Sequence, residues 1–184
     1  MVMKTRQIAS ALLLAGILFS ATTARANINI TITSEIYIPP CVVNGDTLIT
    51  VDFGDMDAQK VDGQAYAKSI TVPVSCTYYS GAAYVRVTGS QLTGAPTNVL
   101  KTDATGGNAD ILGVALYQGN GVNSSFPLTL GGGSNGYGYP LTQGWTGNGT
   151  ASSQFTLTAV PYKQGGSLEA GAFSATATMS ISYL

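Results

Sequence analysis

The sequence predicts an all-β protein, a β-sandwich of immunoglobulin-like type. Three observations predict it. Apolar residues recur with a period of two in one run after another, the period of a strand with one face in a core and one in water. Turn signals break these runs at Asn44-Gly45, Asp62-Gly63, Ser80-Gly81, Gly119-Asn120-Gly121, Gly131-Gly132-Gly133 and Gly165-Gly166. No stretch combines a 3.6-residue period with helix caps. Several short strands separated in this way suit a sandwich.

The chain opens with what reads as an export signal. Lys4 and Arg6 form a positive start, an apolar run of 12 residues extends from Ile8 to Phe19, and Ala24-Arg25-Ala26 supplies an A-x-A cleavage pattern. The run is too short for a membrane span, which needs roughly 20 residues. Cleavage leaves 158 residues beginning at Asn27, enough for one domain with its own core. The expected organisation is a signal peptide over 1–26, an N-terminal extension over 27–40 and a single domain over 41–184.

In the extension, Ile28, Ile30, Ile32, Ile36 and Ile38 share one parity, with Ser34 at the remaining position of the set. This predicts a strand with one apolar face. Pro39-Pro40 cut it off, because proline has no N–H to continue a ladder. A strand is expected over 47–53, where Leu48, Thr50 and Asp52 alternate with Ile49, Val51 and Phe53. Ile70, Val72, Val74 and Cys76 share the face of another. Val85 and Val87 share a face over 84–88. Residues 111–117 are apolar at nearly every position, as in a strand buried on both sides. Phe155, Leu157 and Ala159 alternate with Thr156 and Thr158. The last predicted strand carries Phe173, Ala175, Ala177, Met179, Ile181 and Tyr183 on one parity and runs to Leu184.

Two cysteines, Cys41 and Cys76, remain after cleavage. In an exported chain an even count favours a disulfide, and only one pairing within the chain is possible. Composition excludes several chemistries. The chain has no histidine, so the usual base near neutral pH is missing and zinc would have only two thiolates. Five basic residues (Lys60, Lys68, Arg86, Lys101, Lys163) face nine acidic ones in the mature chain, a net charge of −4 without a basic cluster. Neither nucleic acid nor an anionic membrane surface is a suitable partner. Asp52, Asp55, Asp57 and Asp62 gather as in a calcium loop, but Ala58, Gln59 and Lys60 follow where ligands should stand, so a solvated loop is expected. Gly131-Gly132-Gly133 lacks the Lys-Ser/Thr of a phosphate loop. Trp145 with Tyr137 and Tyr139 reads either as a sugar-stacking platform or as core packing.

The two ends of the mature chain complement one another. One end offers a strand with no partner nearby. The other ends on a strand that leaves an exposed edge, and exposed edges recruit strands. A subunit with both can link head to tail without closing a ring.

On these residues the chain resembles the fimbrial pilins of the chaperone–usher pathway. The resemblance rests on the alternating extension before Pro39-Pro40-Cys41 and on Val51-Asp52-Phe53-Gly54 between the cysteines. It rests also on Gly171, fourteenth from the end, with alternating apolar residues up to the penultimate Tyr183. Within the family, residues 36–41, 113–119 and 159–162 are most similar to those of minor tip adaptors. The resemblance covers essentially the whole mature chain. It implies an incomplete immunoglobulin-like sandwich whose last strand comes from another chain. Ile28, Ile30, Ile32, Ser34, Ile36 and Ile38 would form the donor strand. Gly171, Phe173, Ala175, Ala177, Met179, Ile181, Tyr183 and Leu184 would face the chaperone or a donor strand. Family members usually carry Gly where this chain has Ser34. The implied partners are a periplasmic pilus chaperone, an outer-membrane usher, adjacent pilins and the tip adhesin. The resemblance implies neither a catalytic residue, nor a cofactor or metal, nor insertion into a membrane. The implied function is a tip adaptor in cell adhesion, displayed on a cell-surface fimbrium after passage through the periplasm. A repeated tip-fibrillum or shaft pilin, a carbohydrate-binding adhesin and a secreted hydrolase are the alternatives.

Overall fold

A computed structural model describes residues 28–147 and 149–184. The signal-peptide reading lies outside them. Two compact units divide the chain, Met1–Ile36 and Tyr37–Leu184. In the first, the described residues form no regular secondary structure, and Ile28, Ile30, Ile32 and Ile36 are 81–97% exposed.

The second unit is all-β among the described residues. In chain order its strands are β1 (Val42–Val43), β2 (Lys68–Ser75), β3 (Ala83–Thr88), β4 (Val99–Lys101) and β5 (Leu112–Gln118). Then come β6 (Tyr139–Pro140), β7 (Trp145–Thr146), β8 (Ser152–Lys163) and β9 (Thr178–Tyr183). Helical residues are confined to three single 3-10 turns.

All pairings are antiparallel. One sheet runs β1-β2-β8-β5-β4, with β7 also on β8; the other runs β6-β3-β9. The 12-residue β8 is the spine of the larger sheet. Its first half pairs along β2, from Ser152 against Ser75 to Ala159 against Lys68. Its second half pairs along β5, from Leu157 against Gln118 to Lys163 against Leu112.

The core lies between the two sheets. Val72, Val74, Val114, Leu116, Phe155 and Leu157 come from one side, and Val85, Val87, Ile181 and Tyr183 from the other. The alternation in β2 and β3 buries Val72, Val74, Val85 and Val87 as their parity requires. β5 is buried at Leu112 through Leu116, in keeping with its continuous apolar run. Trp145 is core-packing: its ring lies 6.4 Å from Phe155 and 6.2 Å edge-on to Tyr183, and its indole N–H is enclosed. That removes it as the base of an exposed sugar platform. The acidic loop is self-capped. Asp57 accepts from the Gln59 N–H at 3.0 Å, and Asp62 accepts from the Gln64 and Ala65 N–H groups.

Two expected strands are altered. Residues 47–53 keep the predicted alternation, with Ile49, Val51 and Phe53 half-buried and Leu48, Thr50 and Asp52 exposed, but join no ladder. The last strand is laddered only over Thr178–Tyr183, where β3 pairs with it; residues 171–177 have no strand partner. The reason is common to both. A period of two records which face is buried, whereas a ladder needs a neighbour at the edge. Four short strands went unpredicted (β1, β4, β6 and β7), since two or three residues carry no periodicity.

Cys41 and Cys76 form a disulfide that closes a span of 35 residues. Both are buried, and Cys41 also bridges to Ile181 through its N–H, 2.7 Å from the Ile181 carbonyl. In the chain-entropy picture a loop of this length contributes about 3–4 kcal/mol. Replacing both cysteines by alanine should lower the unfolding free energy of the strand-complemented protein by about that amount in urea melts. An unchanged midpoint would show that the unfolded chain is not the state the bridge constrains.

Candidate functional site: an open apolar groove

The two segments that lack ladder partners face each other across a groove of about 840 Å³. Its floor is built from both sheets by Ile70, Val87, Leu100, Val114, Leu116, Leu128, Leu157 and Ala159. One wall is residues 48–56. The other runs from Ala170 through Ala177 to Met179. The floor residues belong to the main core, so the groove is a place where that core reaches the surface. Phe53 and Phe173 stack across it with ring centroids 6.4 Å apart.

Both walls are pleated and bare. Among the described residues, the backbone N–H and C=O groups of 48–53 have no hydrogen-bond partner, nor do those of Phe173 and Ala175. A backbone group left without partners costs free energy wherever water is kept out. The groove therefore offers apolar surface below and two rows of unused amides beside it.

The second wall is held from its far side by side chains. Asp103 accepts the Ser174 N–H on Oδ1 and the Ser174 hydroxyl on Oδ2 at 2.8 Å, and its own N–H donates to the Ser174 carbonyl at 2.9 Å. Asn108, itself buried, donates from Nδ2 to the Glu169 carbonyl at 2.8 Å and accepts the Glu169 N–H at 2.9 Å. The Ser174 N–H, and after it the Ser174 hydroxyl, hold the Asp103 carboxyl below the usual carboxylate range. Since folding lowers this pKa, the contribution is full above the unfolded-state value and is lost as pH falls through the folded one.

Gly171, Phe173, Ala175, Ala177 and Met179 all line the groove; Phe173, Ala175 and Met179 are half-buried, while Ala177 is exposed. Ile181 and Tyr183 lie beyond it, fully buried within β9. Leu184 exchanges two hydrogen bonds with Ala82, each 2.9 Å. The opposite wall at Ile49, Val51 and Phe53 was missed as part of the site, although its parity mirrors that of Phe173 and Ala175. Leu128 in the floor carries no sequence signal, because it sits in an irregular segment.

A model of the fimbrial protein family matches residues 30–184. The chain belongs to the fimbrial protein family. This pilin is 40% identical over 169 residues to the fimbrial adapter PapF of Escherichia coli, covering 91% of this chain and 95% of that one. It is 40% identical over the same length to the minor fimbrial protein PrsF of Escherichia coli, with the same coverage. Among solved structures, it superimposes on the P pilus adaptor subunit PapF with a TM-score of 0.53 at 34% identity, covering 82% of this pilin and 100% of that chain.

Gly81 fixes the end of β9 in this pilin. Its φ is +100°, and a Cβ there would lie 2.1 Å from the Leu184 carbonyl oxygen. Gly81→Ala should destabilise the strand-complemented pilin by about 1–3 kcal/mol. Amide exchange should show lost protection at Ala82 and Leu184; retained protection at both would mean that the backbone relaxes without cost.

Proposed function

We propose that the protein is a minor pilin of a chaperone–usher fimbria, a tip adaptor that joins the adhesin to the fibre in cell adhesion. The observation that carries this reading is the groove with two unpaired walls over an apolar floor. It is a structural role and needs no catalysis. A strand laid between the walls supplies partners to both rows of amides and apolar side chains to the floor. This is β-strand addition, for which chaperone–pilin donor-strand complementation is itself an established example.

In this reading a periplasmic chaperone fills the groove first, with basic residues anchoring the Leu184 carboxylate. At the usher, the extension of a neighbouring pilin replaces it. The groove-lining acceptor residues are Gly171, Phe173, Ala175, Ala177 and Met179. Of the other residues expected to face the chaperone or donor, Ile181 and Tyr183 are buried in the core on β9, and Leu184 would offer its carboxylate to the chaperone. This chain's own extension, 27–40, is the plug for another subunit, with Ile28, Ile30, Ile32, Ile36 and Ile38 entering its groove and Ser34 at the small position. The signal peptide is 1–26 and the pilin domain 41–184. The exposure of Ile28, Ile30, Ile32 and Ile36 supports the donor role, since so much apolar surface is otherwise unfavourable in water. The 40% identity to an adapter and to a minor fimbrial protein supports the adaptor role over a repeated pilin.

The test is periplasmic co-expression with a fimbrial chaperone, followed by exchange against donor peptides from candidate neighbours. The chain should co-purify with the chaperone, aggregate without it and be recovered as a monomer by a matching peptide. A stable monomer refolded alone from residues 41–184 would overturn the groove reading. Immunogold labelling should mark fibre tips; dense labelling along the shaft would overturn the adaptor role alone.

A further inference from the structure

We propose that Asp103 and Asn108 are positioning residues that hold the empty acceptor wall in strand geometry from behind, before any donor strand arrives. The inference rests on the donor-strand reading and concerns what makes the groove receptive.

The problem these residues solve is a gap in the sheet. β9 has β3 as its neighbour from Thr178 to Tyr183, but that pairing stops at Thr88. Residues 169–177 therefore continue without a ladder on either side while the groove is empty. A segment with no hydrogen-bonded neighbour ordinarily frays. A frayed wall would have to be ordered by the donor at the moment of binding, at an entropic cost for each residue fixed.

The structure supplies a substitute neighbour, made of two side chains and one backbone N–H, that of Asp103. Asn108 engages both backbone groups of Glu169, as a paired residue in a ladder would. The Gly107 N–H adds a bond to the Glu169 carboxylate at 3.3 Å. Beyond a bend at Ala170 that resets the alternation, Asp103 engages both backbone groups of Ser174 and its hydroxyl. Backbone groups alternate sides along a strand. Pinning Ser174 on the far side therefore turns those of Phe173 and Ala175 toward the groove, where they are unpaired. The same pinning sets the side chains of Phe173 and Ala175 against the core.

The two anchors differ in kind. Asn108 is 5% exposed and both its amide nitrogen and oxygen are bonded to Glu169, so substitution there also leaves buried polar groups unpaired and lowers global stability. Asp103 and Ser174 are exposed, and their bonds compete with water. Asp103 is therefore the informative position, where an effect on local order separates from an effect on global stability.

The experiment uses the chaperone complex of the mature chain and follows capture of one matching donor peptide, with the melting temperature of the peptide-filled product measured in parallel. Asp103→Ala removes both carboxylate bonds to Ser174 and should slow capture about tenfold, since bonds this exposed compete with water. The filled product should melt close to the wild type, because donor bonds at Phe173 and Ala175 then hold the strand and the exposed Ser174 groups freed by the substitution bond to water. Ser174→Ala, which removes only the hydroxyl bond, should slow capture less. Asp103→Asn, which still accepts the Ser174 N–H, should restore most of the rate. The inference is overturned if Asp103→Ala captures peptide at the wild-type rate. It is overturned equally if Asp103→Ala lowers capture and melting together and Asp103→Asn rescues neither. Should Asp103→Ala fail to fold, Ser174→Ala and Asp103→Asn decide by the same criteria. A wild-type complex that captures no peptide would instead remove the donor-strand reading, and this inference with it.

Discussion

The backbone amides along the groove constrain the rest of this molecule. A sandwich can hide its apolar interior only if some strand covers every part of it, and a strand can be buried only if its N–H and C=O groups find partners. Here the larger sheet satisfies both conditions along β8, which has β2 on one side and β5 and β7 on the other. The region between residues 48–56 and 170–177 satisfies neither. Leu116, Leu128 and Leu157 belong to the same core as Phe155 and Tyr183, yet they also form the floor of an open groove. The fold is thus well paired where the chain supplies neighbours and open along the groove.

This division explains what was legible in the sequence. Alternation reports burial, and it was read correctly in β2 and β3, in the first half of β8 and at Ile49, Val51, Phe53, Phe173 and Ala175; from Leu157 to Pro161 β8 is buried on both faces, Thr158 included. It does not report pairing. Residues 47–53 look in sequence like the half-buried strand they would become with a partner, and the single chain leaves them unladdered. The last strand was legible as one unit from Phe173 to Tyr183, but its halves have different neighbours: β3 beside the second and side chains beside the first. The anchors at Asp103 and Asn108 were not legible at all. They lie in a loop, and their partners are 61 and 71 residues away, which no local pattern encodes. Leu128 was missed for the same reason.

The disulfide and the irregular loops are consistent with the same constraint. Cys41 lies where the chain enters the domain, and its bridge to Ile181 joins that point to the laddered half of the last strand. The pair to Cys76 then fixes one end of the 47–56 wall to the end of β2. At the other end, Phe53 stacks on Phe173, and Val61, Ala104 and Leu112 pack beneath the same ring. The wall is therefore tethered at both ends and bare in the middle. Covalent and apolar contacts do for the first wall what Asp103 and Asn108 do for the second.

Such tethering bears on why an incomplete fold remains usable. Leaving a strand out sacrifices stability, and proteins have little to spare. A groove whose walls had collapsed together would recover some of that loss, because its floor residues would leave water. It would also become useless to a donor. Holding the walls mainly from outside the groove avoids this outcome: the disulfide lies beyond one end, Asp103 and Asn108 lie behind the opposite wall, and the Phe53–Phe173 stack spans the groove. On the proposed donor-strand reading, an incoming strand then meets edges that are already pleated. Its binding energy goes to burying side chains and completing ladders, with less required to order the acceptor. The same logic gives Ser34 its interest. On that same proposed reading, a small residue within a row of isoleucines would mark a point of close approach, where the hydroxyl needs a partner in the acceptor or contact with water.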